Sequence, residues 1–225
     1  SIATIVGTRV LSPFTAVMWA ASFNFLALFS FETHVAKTIG KGMIDIAIVN
    51  PDVILAGLIG AIVWNLITWW YGIPSSSSHA LIGGYAGAAI TKAGFGAIIA
   101  AGWTKTLIFI VLSPMIGMAA GWSLMVGTTW AFRKSRRAAM EPLFRGMQIA
   151  SSALFSLSHG ANDAQKTMGI IVSLLVAGQA YFVNETGFLR HFYLENGDTI
   201  PFWIKLGAHF AIAMGTLMGG WRIVH

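Results

Sequence analysis

Cysteine is absent from the 225 residues, which excludes a disulfide framework and any thiolate metal site. Charge is scarce as well. Only 10% of residues are charged, where a soluble domain carries about 25%. Hydrophobic residues make up 56% and the mean hydropathy is +0.72, so too little polar surface remains to cover a core in water. Lipid suits this composition better. No charged n-region precedes the opening Ser-Ile-Ala-Thr-Ile-Val, so no signal peptide is expected there. Both ends predict an internal piece of a longer protein.

What is present is a series of uncharged runs. Pro13–Phe31 and Val53–Tyr71 each hold nineteen residues without a charge, and Thr106–Phe132 holds twenty-seven. A helix needs roughly 20 apolar residues to cross the hydrocarbon layer. Gly146–Asn162, Met168–Asn184 and Leu206–Trp221 are shorter runs of the same kind. Trp69, Trp70 and Tyr71 close one run, as interfacial aromatics do. The fold class expected is an all-α membrane protein, a multi-pass helical bundle of the cell (inner) membrane.

The net charge of +6 would suit nucleic acid if its cations were spread over the chain. They are not. Arg133, Lys134, Arg136, Arg137 and Arg145 crowd one short loop opposed only by Glu141, the pattern of a cytoplasmic loop. Nucleic acid is therefore not an expected partner.

Three segments follow: residues 1–132, most of a first repeat; the basic loop 133–145; and residues 146–225, the start of a second. Ser1–Val6 (Ser-Ile-Ala-Thr-Ile-Val) lines up faintly with Thr167–Val172 (Thr-Met-Gly-Ile-Ile-Val), as duplicated transporter halves would. Glu32–Asp52, with Lys37, Lys41 and Asp45, is a mixed-charge connection, and Gln179–Phe202, with Glu185, Arg190, Glu195 and Asp198, is another. Ser113-Pro114 predicts a kink in the long third run.

Two polar motifs interrupt the apolar pattern. The first is Pro74-Ser75-Ser76-Ser77-Ser78-His79, followed by the Gly-rich run Ala80–Thr91. Twelve helical residues rise only about 18 Å, so residues 74–91 are expected to form a re-entrant half-helix. Four hydroxyls and free N–H groups at a helix N-terminus make an anion cradle. Gly83, Gly84 and Gly87 would admit a second backbone.

The second motif is His159-Gly-Ala-Asn162-Asp163-Ala-Gln165-Lys166-Thr167-Met-Gly169. A charge inside a membrane costs about 2.5–3.5 kcal/mol on insertion scales and is normally paired. Gly146–Gly178 is too long for one straight crossing, so a helix broken at His159–Asp163 is expected, restarting with Asn162 or Asp163 as N-cap. From there Asn162, Asp163, Lys166 and Thr167 would share one helix side. Asn24 and Asn65 are expected as interhelical hydrogen-bonders, and His209 as a packed one.

Together the two motifs resemble the PiT family of inorganic phosphate transporters. That family's signature is approximately Gly-x-Asn-Asp-x-x-Asn-x-x-Gly, matched by Gly160, Asn162, Asp163 and Gly169. The serine hairpin with Gly83 and Gly84 is similar to the family's re-entrant segment, and Ser1–Pro13 to the stretch after a first signature copy. The resemblance implies an inverted-repeat symporter carrying inorganic phosphate, free or as a metal–phosphate complex, with no cofactor, no enzymatic activity and a homodimer among its expected partners. Ser75, Ser76, Ser77, Ser78, Asn162, Asp163 and Thr167 are then the substrate-binding candidates, and Asp163, Gln165 and Lys166 the ion-coupling ones.

One departure stands out: Lys166 occupies the place of an Asn. An ammonium there can stand in for a bound cation, which favours H⁺ as the coupling ion over Na⁺; a Na⁺ would sit near Asn162 and Asp163. Two rival classes use the same residues. An intramembrane serine hydrolase would take Ser78 as nucleophile, His79 or His159 as base and Asp163 as orienter. Neighbours such as Ser78 and His79 point about 100° apart on a helix, which suits a triad poorly, and no Gly-x-Ser-x-Gly elbow is present. A passive anion channel would keep the serine cradle without needing Asp163.

Overall fold

Side-chain caps set where the helices begin. In the computed structural model, which describes residues 2–29, 36, 42–73, 75–197 and 199–224 (backbone alone for 137 and 220–224), helix α1 spans Ile2–Gly7 and α2 spans Pro13–Leu26, continued by a 3₁₀ turn at Ala27–Phe29. The Ser12 hydroxyl accepts the Thr15 N–H at 3.3 Å, and Pro13 supplies the first helical residue. Asn50 does the same for α3 (Pro51–Trp70), accepting the Val53 N–H at 2.9 Å. Helix α4 (Ser77–Ala93) is capped by Ser76 and ends at Gly94, whose φ of 71° lies in the left-handed region.

The remaining helices are α5 (Ala100–Phe132), α6 (Arg137–Ala177), the short α7 (Gln179–Phe182) and α8 (Phe202–Val224), with a 3₁₀ turn at Gly187–Phe192 between the last two. Among the described residues no strand forms beyond one isolated bridge, Ile44 to Ile98. The expectations concerning Ser1, Glu32, Lys37, Lys41, Pro74 and Asp198 fall outside the described residues.

Helices α2, α6 and α8 pack into one bundle, while α3 and α4 form a close hairpin. Gly84 explains the closeness of the hairpin. A side chain there would collide with the Gly57 carbonyl, so only a glycine lets the two backbones meet. Gly83 and Gly87, expected to serve the same purpose, have open space where a Cβ would stand. Two buried cores flank α6. Ile170 joins Val53, Ile54, Tyr85 and Ala89 of the hairpin. Ala164, Met168 and Val172 join Ile204 and Ala208 of α8.

The expected break at His159–Asp163 does not occur. Helix α6 runs for 41 residues through the polar motif. Gly160 is a packing position there and does not restart the helix: a Cβ would lie 2.6 Å from the Asn24 carbonyl oxygen of α2. The polar side chains also satisfy one another along the helix, as described below, so nothing forces the backbone to open. Pro114 is likewise accommodated inside a continuous α5. Helix α4 has 17 residues rather than twelve. At about 25 Å it is still shorter than the roughly 30 Å hydrocarbon layer.

Helix α5 stands apart. It is 33 residues long, apolar all round, and none of its residues is buried. Helices of this kind need lipid or another protein surface around them. Helix α3 is also long and apolar enough to span.

Candidate functional site

The middle of α6 carries a chain of polar contacts. His159 Nε2 lies 3.1 Å from Asp163 Oδ2, one turn apart. The other oxygen, Oδ1, lies 2.5 Å from Lys166 Nζ. Lys166 in turn donates to the Ser78 hydroxyl of α4 at 2.5 Å. A single ammonium thus bridges the carboxylate of one helix and the first turn of another. Both pairs on α6, His159–Asp163 and Asp163–Lys166, follow from 3.6-residue periodicity; Ser78 comes from the tertiary fold.

Asp163 also divides two cavities. One, of about 280 Å³, is lined by Asn65, Ser77, Ser78, Asp163, Lys166 and Thr167, with Leu58, Ile62 and Ile212 as its apolar walls. The other, of about 500 Å³, lies on the His159 side with Asn24, Ser156 and Thr216. The smaller cavity combines one cation, one carboxylate, two serine hydroxyls and the start of α4. The first N–H groups of a helix have no intrahelical acceptor and carry partial positive charge. That donor set suits an anion with several oxygens.

The predicted residues separate cleanly. Ser77, Ser78, Asp163, Lys166 and Thr167 line the smaller cavity. Ser75 does not; its hydroxyl accepts from Trp64 Nε1 at 3.1 Å. Ser76 is the α4 cap, accepting the His79 N–H at 3.3 Å. Asn162 turns its amide back onto the Ser158 carbonyl at 2.8 Å. Gln165 is buried and borders neither cavity of Asp163. On a continuous helix residue 165 points away from the direction shared by 163, 166 and 167; Asn162 stands at the edge of that face, next to Lys166, and its bond to Ser158 takes its amide out of the cavity.

Two residues matter more than the sequence suggested. Asn65, expected as interhelical glue, lines the smaller cavity. His159, considered only as a hydrolase base, pairs with Asp163; its i, i+4 spacing was the available signal. The hydrolase arrangement itself is not assembled. Among the described residues the Ser78 hydroxyl meets Lys166, and His159 is turned to Asp163, so the serine–histidine contact of that arrangement is not made. Asn24 does act between helices, donating to Thr216 at 2.8 Å. His209 is buried and bonds the Lys205 carbonyl of its own helix at 2.8 Å.

A family model described as the phosphate transporter family matches residues 1–225. The chain belongs to the phosphate transporter family. Among curated members of that family it is 52% identical to a probable low-affinity inorganic phosphate transporter of Rhizobium meliloti (strain 1021), over all of this chain and 64% of the relative. It is 42% identical to the protein of that description in Bacillus subtilis (strain 168), again over all of this chain and 64% of the relative. Identity to the low-affinity inorganic phosphate transporter PitB of Escherichia coli (strain K12) is 31%, over 84% of this chain and 44% of the relative. The chain therefore spans somewhat less than two thirds of the length of these relatives. A solved structure titled the sodium-dependent phosphate transporter shares the fold, with a TM-score of 0.76 at 22% identity, covering 99% of this chain and 70% of that one. The helical architecture expected from composition is thus the fold shared with that structure.

Proposed function

We propose that the full-length protein is a secondary active symporter for inorganic phosphate, and that its coupling ion is H⁺ rather than Na⁺. The observation that carries this reading is the position of Lys166, 2.5 Å from both Asp163 Oδ1 and Ser78 Oγ. A phosphate held by Ser77, Ser78, Thr167 and the first N–H groups of α4 lies beside a carboxylate. Two anions in one cavity repel unless a cation stands between them. The signature that the motif resembles has an Asn in this place, where a bound cation would be needed; here the ammonium is built in. The Asp163–His159 pair is then the group that takes up and releases the coupling proton.

Na⁺ near Asn162 and Asp163 is the weaker alternative, because Asn162 does not line the cavity and its Nδ2 donates to Ser158 instead. A metal–phosphate complex fits the same donor set, with Asp163 meeting the metal; uptake with and without Mg²⁺ separates it from free phosphate. The reading requires a multi-pass protein of the cell (inner) membrane, alternating access by rocking of repeats around the site, and α4 as a re-entrant half-helix. The unburied α5 offers a surface on which a second copy can sit.

The test is radiolabelled phosphate uptake by the full-length protein in proteoliposomes. Uptake collapsed by a protonophore and indifferent to Na⁺ is expected, as is loss of concentrative uptake in Asp163→Asn. Uptake that requires Na⁺ and ignores the protonophore sinks the H⁺ assignment, and unchanged accumulation in Asp163→Asn refutes the coupling role of that residue.

A further inference from the structure

The turn between α5 and α6 carries charge that transport chemistry does not use. Arg133, Lys134, Arg136 and Arg137 stand together there, and Arg145 follows one helix turn after Glu141. Arg145 and Glu141 satisfy each other at 3.2 Å. Among the described residues no carboxylate pairs with Arg133, Lys134 or Arg136, all of which are exposed. The turn therefore presents a concentrated, unneutralised cationic face at the end of an apolar helix.

Its depth relative to lipid is set by Trp130. That indole is 67% exposed on the last turn of α5, and the Arg133 guanidinium lies 5.4 Å from its ring centroid. Trp partitions to the headgroup level of a bilayer, so cations three to six residues beyond it reach the level of lipid phosphates. Beside them opens a cavity of about 480 Å³ lined by Thr8, Phe132, Ser135, Phe144, Gln148 and the Glu141–Arg145 ion pair among others. Phe132 and Phe144 meet edge-on at 5.4 Å and form its apolar wall. Gln148, which donates to Thr8 at 2.8 Å, lies on its polar side. The combination is a cationic turn adjoining a slot that is apolar on one wall and hydrogen-bonding on the other, where the Glu141 carboxylate is already matched by Arg145.

We propose that this turn and its slot bind the headgroup of an anionic phospholipid. Charge complementarity selects the anionic headgroup, since clusters of four or more Lys or Arg next to a membrane helix attract anionic lipids. The Trp130 anchor and the amphipathic slot favour a lipid over a soluble anion, because a lipid brings an apolar backbone to the Phe132 wall as well as a phosphate to the turn.

The experiment uses the full-length protein in nanodiscs of mixed phosphatidylglycerol and phosphatidylcholine, released for native mass spectrometry. Wild type is expected to retain phosphatidylglycerol selectively, and R133Q/K134Q/R136Q to reduce that selectivity about tenfold or more. The charge-conserving R133K/R136K is expected to keep it, which guards against a folding artefact in the Gln variant. Equal lipid selectivity in wild type and the triple Gln variant overturns the proposal. So does displacement of phosphatidylglycerol by millimolar inorganic phosphate, which would make the turn a soluble-anion site. These readouts are independent of transport.

Discussion

The substitution Gly160→Ala separates a packing glycine from a helix-breaking one. An added Cβ would lie 2.6 Å from the Asn24 carbonyl oxygen and 2.7 Å from its Cα, whereas ordinary contact begins at 3.4 Å. Helix α2 must then retreat by roughly 0.8 Å, and the contacted atoms are backbone that cannot rotate aside. Overpacking of this kind costs about 1–3 kcal/mol, and alanine returns up to about 1 kcal/mol of helix propensity. The net loss is then up to about 3 kcal/mol, at about 2–4 °C in Tm for each kcal/mol in a chain of this size. Thermal melts of the purified full-length protein measure it, with Gly83→Ala as the control, since nothing lies within 4 Å of a Cβ there. The control should melt at or slightly above the wild-type temperature. A Gly160→Ala protein as stable as that control would refute close packing of α2 on α6 and reopen a break at this position.

Other substitutions follow from the same geometry. Lys166→Met strands Asp163 with only His159 as partner, and weaker phosphate uptake that now responds to added Na⁺ is expected; full, Na⁺-indifferent uptake would contradict the built-in cation. Thr216→Val leaves the buried Asn24 amide without its acceptor and should destabilise by about 1–2 kcal/mol, more than Asn24→Leu, which removes the buried amide and leaves the Thr216 hydroxyl its bond to the Ile212 carbonyl; the reverse order in thermal melts would count against this bond. Trp64→Phe removes only the exposed bond to Ser75, so uptake kinetics should match wild type.

Much of the architecture was legible because it depends on local composition. Uncharged runs located α2, α3 and α5, and the serine run before Ala80 marked a helix start through ordinary capping chemistry. What local reading missed was decided by contacts distant in the chain. Gly160 looks like a breaker until Asn24 is seen against it. Four consecutive serines are equivalent in sequence, yet the helical turn gives one to Trp64, one to the cap and two to the cavity. The pairing of Asp163 with Lys166 was readable from spacing, but the approach of Ser78 to the same ammonium required the α3–α4 hairpin to fold against α6. Continuity of α6 followed from side chains at 158–166 satisfying each other at i+3 and i+4 spacing, which lowered the cost of carrying them inside a helix.

The central claim is that phosphate is held where Ser77 and Ser78 face Asp163 and Lys166. Radiolabelled phosphate uptake by the full-length protein, comparing Ser77→Ala/Ser78→Ala with Ser75→Ala, tests it most directly. The account predicts a KM for phosphate raised about tenfold or more in the double variant, two hydrogen bonds to an anion being lost, and a KM unchanged for Ser75→Ala. An unchanged KM in the double variant, or equal losses in both, would contradict it.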